Sequence, residues 1–326
     1  MRQFVCCVIL SLTFAVTDAL MMSMLSKPLF YGFDFGTSGV RCCLIDVTKN
    51  IVHEDSLAWT DIKPNDSTMK MSESWEVAMD QLLERTPMKC RGEIQRICIS
   101  GTSSSALIYD IDTGDVSREP RMYDFNVLQQ STSTSNDYGT RAMTAIQNVC
   151  NKGSAANAPT STLAKVLSWN FEKKITPSER LIHQADFIIH HVISDKNKKN
   201  EEKSGTKNEA EVDQSGVKLE NSVTDQIFTS DWHNALKLGY DVHTLSYSTW
   251  MINLLLEQGI LSSFIPIVIE PGRTVSTVSS RLVEMGFSEK CNVVAGNFIL
   301  FYFFNLILVL FYRCCCNYCC CNCNCY

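Results

Sequence analysis

The residues best suited to chemistry lie in the run Tyr31-Gly32-Phe33-Asp34-Phe35-Gly36-Thr37-Ser38-Gly39-Val40-Arg41. The apolar pattern over 29–35 predicts a strand that sets the Asp34 carboxylate near its end, and a Gly/Thr/Ser turn follows at once. Gly36 and Gly39 allow a tight turn whose backbone N–H groups can approach a phosphate, with Thr37 and Ser38 adding hydroxyls and Asp34 facing magnesium-bound water. Gly36 in particular is expected to need a positive φ or a close approach that a β-branched side chain would prevent. Judged on this string alone, an ordinary hairpin with a glycine turn accounts for it equally well.

Other reactive side chains are less organised. His233 stands beside Asp231 and Asn234, which could cap a helix as easily as bind a ligand, and His190-His191 falls on a predicted helix. None has the spaced partners of a zinc site, so these histidines read as structural. Of the 16 cysteines, eight lie between Cys314 and Cys325; the others, among them Cys42, Cys43, Cys90, Cys98 and Cys291, are scattered through apolar runs as small core residues. Cys316 and Cys319 form a lone CxxC with no second pair at finger-like spacing.

Strands are predicted over 29–35, 40–47, 51–59, 94–100 and 106–110, with a last one over 291–295. Trp75, Ala78, Met79 and Leu82 recur at helical spacing, and further helices are predicted over 142–149, 163–171 and 185–193. This order gives one α/β domain over 29–296. Within it, 194–221 is dense in Lys, Glu, Asn and Ser and is expected to be a disordered insertion, because it has too little apolar surface to offset its ordering entropy. The chain is 45% hydrophobic, enough for a substantial core, and its net charge of -6 gives no basic field for nucleic acid.

The two ends depart from this pattern. Residues 1–28 have the form of a signal- or transit-like leader, with Arg2 before an apolar run from Phe4 to Val16. Residues 297–312 are almost wholly Phe, Leu, Ile, Val and Tyr, and 313–326 are mostly Cys with Asn and Tyr. Counted from Val293, the apolar stretch 293–312 is long enough for a membrane helix with a cysteine cluster behind it. The composition is also that of translated T-rich non-coding DNA, and Gly296-Asn297 can be encoded by a splice-donor-like string. An aberrant tail is the reading preferred for 297–326.

Several segments together resemble the amino-terminal domain of the FGGY carbohydrate kinases, in the D-ribulose and xylulose kinase branch of plant and cyanobacterial type. The Tyr31 to Arg41 run is similar to the family's first phosphate motif. Ile99-Ser100-Gly101-Thr102-Ser103-Ser104-Ser105 looks like its sugar-lining strand end, and Pro120 to Asp124, Ala158 to Lys165, His183 to Phe187, Ser230 to Asp241, Glu270 to Gly272 and Val293 to Gly296 match in order. The resemblance implies an actin-like, ribonuclease H-like ATPase domain with a mixed sheet flanked by helices. It further implies a plastid or cytosolic protein, and ATP-dependent phosphorylation of a ketopentose. Asp34 would then organise Mg²⁺ through water, Gly36, Thr37, Ser38 and Gly39 would meet the phosphates, and Thr102 and Ser103 would meet the small-molecule sugar.

The family places its catalytic base just after the last strand of this domain, in a Gly-Thr-Thr-Asp-Ser pattern. This chain reads Ala295-Gly296-Asn297-Phe298-Ile299, with Ile299 where the aspartate is expected, and the family's second domain does not follow. The resemblance therefore implies a kinase half-site that is inactive in this form. The competing expectation is a non-catalytic, membrane-anchored, sugar-binding half-domain.

Overall fold

The computed structural model describes residues 27–62, 68–129, 137–195 and 228–296. Strand β1 (Leu29–Phe35) alternates buried and half-buried residues, placing Leu29, Tyr31, Phe33 and Phe35 on its core face. It pairs antiparallel with β2 (Gly39–Asp46) in a register running from Phe35 opposite Val40 to Leu29 opposite Asp46. Strand β3 (Ile51–Ala58) continues the meander. Helix α1 (Met71–Arg85) then buries Trp75, Ala78, Met79, Leu82 and Leu83 on one face.

Strand β4 (Ile94–Gly101) returns parallel to β1. Strands β5 (Ala106–Asp110) and β6 (Asp115–Arg121) form a hairpin at the start of a second sheet. Helix α2 (Tyr138–Val149) is capped by Asp137, which accepts from Thr140 N at 2.8 Å, and α3 (Thr162–Glu172) by Ser161, which accepts from Ala164 N at 3.1 Å. Strand β7 (Glu179–His183) joins β5 from its other side and leads into α4 (Gln184–Ile193). Strand β8 (Thr229–Asp231), helix α5 (Thr249–Glu257), β9 (Ile267–Ile269), β10 (Thr274–Thr277), the short helix α6 (Ser280–Glu284) and β11 (Asn292–Val294) complete the larger elements.

The principal sheet has the order β10-β11-β4-β1-β2-β3, so the last strand in sequence is inserted between β10 and β4. One apolar core unites this sheet with α1 and α4. A second gathers α2, α3 and α5 beside the β6-β5-β7 sheet. Among the described residues Cys42, Cys43, Cys90, Cys98, Cys150 and Cys291 are buried or half-buried, as small core residues should be.

The predicted elements lie within a few residues of the observed ones, with three informative differences. Strand β6 escapes an apolar pattern search because it reads Asp-Val-Ser-Arg-Glu-Pro-Arg and lies on a partly exposed edge. Val293 and Val294 belong to β11, hydrogen-bonded to β4 and buried, so they cannot open a membrane helix. No helix among the described residues is long and apolar enough to cross a membrane. Ser194 and Asp195, the first residues of the predicted insertion, are placed: Asp195 accepts from Ser280 N at 2.8 Å and from its hydroxyl at 2.6 Å. The remainder of the insertion, most of the leader and the 297–326 tail with Ile299 lie outside the described residues.

Of the histidines read as structural, His191 joins three helices. Its Nε2 is 2.8 Å from Asp80 Oδ1 and its Nδ1 3.1 Å from Glu76 Oε1, both on α1, while Arg281 of α6 reaches Asp80 at 2.9 Å. Burial lowers the imidazole pKa, and Arg281 lies 3.4 Å from Nε2, but the bonds to Asp80 and Glu76 outweigh burial and hold the pKa above its ordinary value. A raised folded-state pKa gives stability that is full below the unfolded value of about 6.5 and is lost as pH rises through the folded value. Thermal midpoints measured from pH 5.5 to 8.5 should therefore fall toward the alkaline end, and His191→Gln should flatten the profile.

Candidate functional site

Strands β1, β4 and β11 are parallel neighbours, so their carboxyl ends open on the same edge of the principal sheet. Phe35 pairs with Gly101 and Asp34 with Ser100, which makes the turns after β1 and β4 emerge side by side. Carboxyl edges of this kind are where open α/β sheets bind ligands.

Asp34 is half-buried near the end of β1. Burial raises its carboxyl pKa, while Arg41 and a hydrogen bond with Ser100 pull the other way. A half-buried carboxylate at a strand end, with exposed hydroxyls at Thr37 and Ser38 nearby in the chain, suits a hard cation that keeps much of its water. No group of three or more His, Cys, Asp or Glu among the described residues could enclose a metal ion, so a cation here would rely on one protein carboxylate and its other ligands.

The turn itself is a tight hairpin in which Gly36 N donates to Gly39 O at 2.9 Å. Trp59 fixes its outline: the indole Nε1 donates to Gly36 O at 3.1 Å and the backbone N to Ser38 O at 3.2 Å. The carbonyls of residues 36, 38 and 39 are thus all engaged from the protein side, which leaves the turn less hostile to an anion. The expectation for Gly36 needs correction. Its φ is not in the left-handed region, and a Cβ there would only touch Gly39 O at 3.5 Å. Gly39 is the constrained position, because its Cβ would stand 2.2 Å from Leu57 O of β3.

The turn after β4 is held by Gln184, the first residue of α4. Its Oε1 accepts from both Thr102 N and Thr102 Oγ1 at 2.9 Å, and its N–H donates to Ser105 O at 3.0 Å. Thr102 Oγ1 also lies 2.5 Å from Ser105 Oγ. The Thr102 hydroxyl is therefore committed to the turn, whereas Ser103 at the tip is exposed. Ser104 is buried with φ +74, a conformation that costs a non-glycine residue about 1–2 kcal/mol.

The third strand end meets a buried carboxylate. Asp231 caps the turn Trp232–Ala235, accepting from His233 N at 2.7 Å and Asn234 N at 3.3 Å, and its second oxygen accepts from Asn234 Nδ2 at 2.7 Å. Gly296, with φ +69, lies against it so closely that a Cβ would stand 2.5 Å from Asp231 Cγ. Cys98 Sγ donates to Gly296 O at 2.8 Å from β4. Asp231 is the cap, Asn234 is a residue of the turn that donates back to it, and His233 is tied to Asp231 at 3.4 Å.

The edge thus gathers Asp34, the 36–39 turn and the 101–105 turn, with Gly296 ending the neighbouring strand. Pattern reading missed Trp59 and Gln184, which shape both turns from elsewhere in the chain. Trp59 was legible only as the end of a strand, and Gln184 only as part of a segment matching in order.

No family model matches the sequence. Among solved structures, the chain is similar to a gluconate kinase from Lactobacillus acidophilus at 15% identity, covering 83% of this chain and 48% of that one with a TM-score of 0.58. A ligand-bound xylulose kinase from the same organism gives 14% identity, 82% and 48% coverage and a TM-score of 0.57. A xylulose kinase from Bifidobacterium adolescentis gives 14%, 83% and 53%, and 0.54. The chain spans about half the length of these kinases. At such identities the likeness is one of fold: the described chain has a mixed sheet flanked by helices, the architecture it shares with the matched half of these kinases.

Proposed function

We propose that this chain carries the sugar- and phosphate-facing half of an ATP-dependent ketopentose kinase, for D-ribulose or D-xylulose, and that it binds its sugar without turning over. The observation that carries this reading is the convergence of the 36–39 and 101–105 turns at one sheet edge, with the half-buried Asp34 beside Ser100. Likeness to solved gluconate and xylulose kinases supports a sugar as the acceptor.

ATP would supply the phosphoryl group, and Mg²⁺ would neutralise charge on its phosphates. The chain's own part is positional. Backbone N–H groups and hydroxyls at Thr37 and Ser38 would hold the phosphate, Asp34 would orient the metal's water through its carboxylate, and Ser103 would hydrogen-bond a sugar hydroxyl from the tip of a turn fixed by Thr102 and Gln184. In-line attack also needs a proton acceptor for the sugar hydroxyl, and Ile299 has none. Loss of a general base removes a factor of about 10²–10⁴ in rate.

Offered ATP, Mg²⁺ and either ketopentose, the 326-residue chain should bind the sugar by calorimetry and show no sugar-dependent ATP turnover above background. Turnover in the common enzyme range of about 1–10³ s⁻¹ would overturn the inactive reading. Absence of binding for both sugars would overturn the substrate class.

A further inference from the structure

Lys165 on α3 is fully buried, with 0% of its surface exposed. Its ammonium donates to Ser104 O at 2.7 Å, Met122 O at 2.6 Å and Ser104 Oγ at 3.3 Å, so its three N–H groups have three acceptors. Among the described residues no carboxylate lies within ion-pair distance of it; Asp124 attracts it from further off, while Lys237 and Arg121 repel it. Burial, then Lys237, brings its pKa down to about 7. A buried cation with only carbonyl and hydroxyl acceptors is a poor source of stability, since an apolar side chain would fill the same space without desolvating a charge.

The geometry instead gives it a task. Ser104 is the left-handed residue of the 101–105 turn, and its hydroxyl donates to Thr160 O at 2.8 Å just ahead of α3. Lys165 holds the Ser104 carbonyl in that strained state and ties it to the Met122 carbonyl beyond β6. Gln184 secures the Thr102 side of the same turn. The tip residue between the two anchors is Ser103.

We propose that Lys165 is the positioning residue that locks the 101–105 turn to the 122–124 segment, so that Ser103 presents its hydroxyl to the sugar. The sugar part of this inference rests on the function proposed above; the locking of the turn does not. Charge and reach are both required of the residue. A side chain of similar length without the ammonium fills the cavity but takes the donor from the buried Ser104 carbonyl and cuts its tie to Met122 O, which keeps only Phe125 N at 3.0 Å, so the turn loses the bonds that hold Ser104 in place.

The full chain with Lys165→Met tests this by three readouts: thermal midpoint, hydrogen exchange by peptide, and calorimetric binding of D-ribulose and D-xylulose. The expected result is a folded protein whose exchange rises at least tenfold over 101–105, is unchanged over 94–99, and whose sugar affinity falls at least tenfold. Lys165→Ala should behave alike, and added ethylammonium should restore both turn protection and affinity. If Lys165→Met does not fold, the alanine variant with and without ethylammonium decides by the same readouts. Unchanged exchange over 101–105 in a folded variant, or no rescue by the amine, would overturn the locking role. An opened turn with undiminished sugar affinity would overturn the link to Ser103. If the unmodified chain binds neither sugar, the kinase reading fails and the exchange arm still judges the lock.

Discussion

Asp34→Asn should leave the fold standing, with an unchanged or raised thermal midpoint, and should weaken Mg²⁺-dependent binding of ATP about tenfold or more, the size of one lost charged contact. Its carboxyl is destabilised in the folded chain by burial, and Arg41 and Ser100 only partly compensate. The amide keeps the shape and an oxygen for Ser100 while removing the desolvated charge. A cation competes with a proton for this group, and burial raises the pKa. Mg²⁺ affinity should therefore begin to fall at a higher pH than the ordinary carboxylate value of about 3.9 would suggest, with acidification the weakening direction. Calorimetry across pH, with and without Mg²⁺, checks both statements. If Asp34→Asn unfolds the chain while binding per folded molecule is unchanged, Asp34 is a turn residue and the phosphate-site reading is wrong.

Gly39→Ala should be among the most destabilising single changes in the chain, with a loss of about 3 kcal/mol or more, whereas Gly36→Ala should cost less than about 1 kcal/mol. At Gly39 the added carbon would stand 2.2 Å from Leu57 O and 3.0 Å from Ala58 Cα, both backbone atoms of the adjoining strand. Relief would require β2 and β3 to separate where Gly39 pairs with Ala58. At Gly36 the nearest atom would be at ordinary contact distance, and φ is negative. Urea titrations of the two variants measure the difference, and equal losses would remove the argument.

This pair of glycines shows where sequence reading stops. Both stand in one short turn, and their spacing makes them look alike; only the pairing of β2 with a third strand reveals which of them is pressed against backbone. Leu29–Phe35 and Trp75–Leu82 were legible because burial on one face imposes period 2 or 3.6 on the residue types. Glu179–His183 was not, since only Leu181 and Ile182 of its five residues are apolar and its other buried positions are Glu179 and His183. The roles of Trp59, Gln184 and Lys165 depend on what they reach across the fold, 23, 82 and 61 residues away, and no local pattern encodes that. The 36–39 turn could be located from its residue types, but whether it was a bare hairpin or part of a shared edge depended on β4 pairing with β1.

The late arrival of β11 beside β4 has a consequence for biosynthesis. Cys98 and Gly296, in contact at the end of the sheet, are 198 residues apart in sequence. At translation rates of about 5–20 residues per second, β4 is made roughly 10–40 s before the strand that covers its outer edge. In that interval β1 to β4 can form a sheet whose open side is Ile97-Cys98-Ile99, a run with almost no exposure in the finished fold. An uncovered apolar edge of this kind is a template for another copy of the same nascent chain. The residues at the centre of the native sheet are therefore also the ones that a chaperone, or speed of completion, must protect on the ribosome.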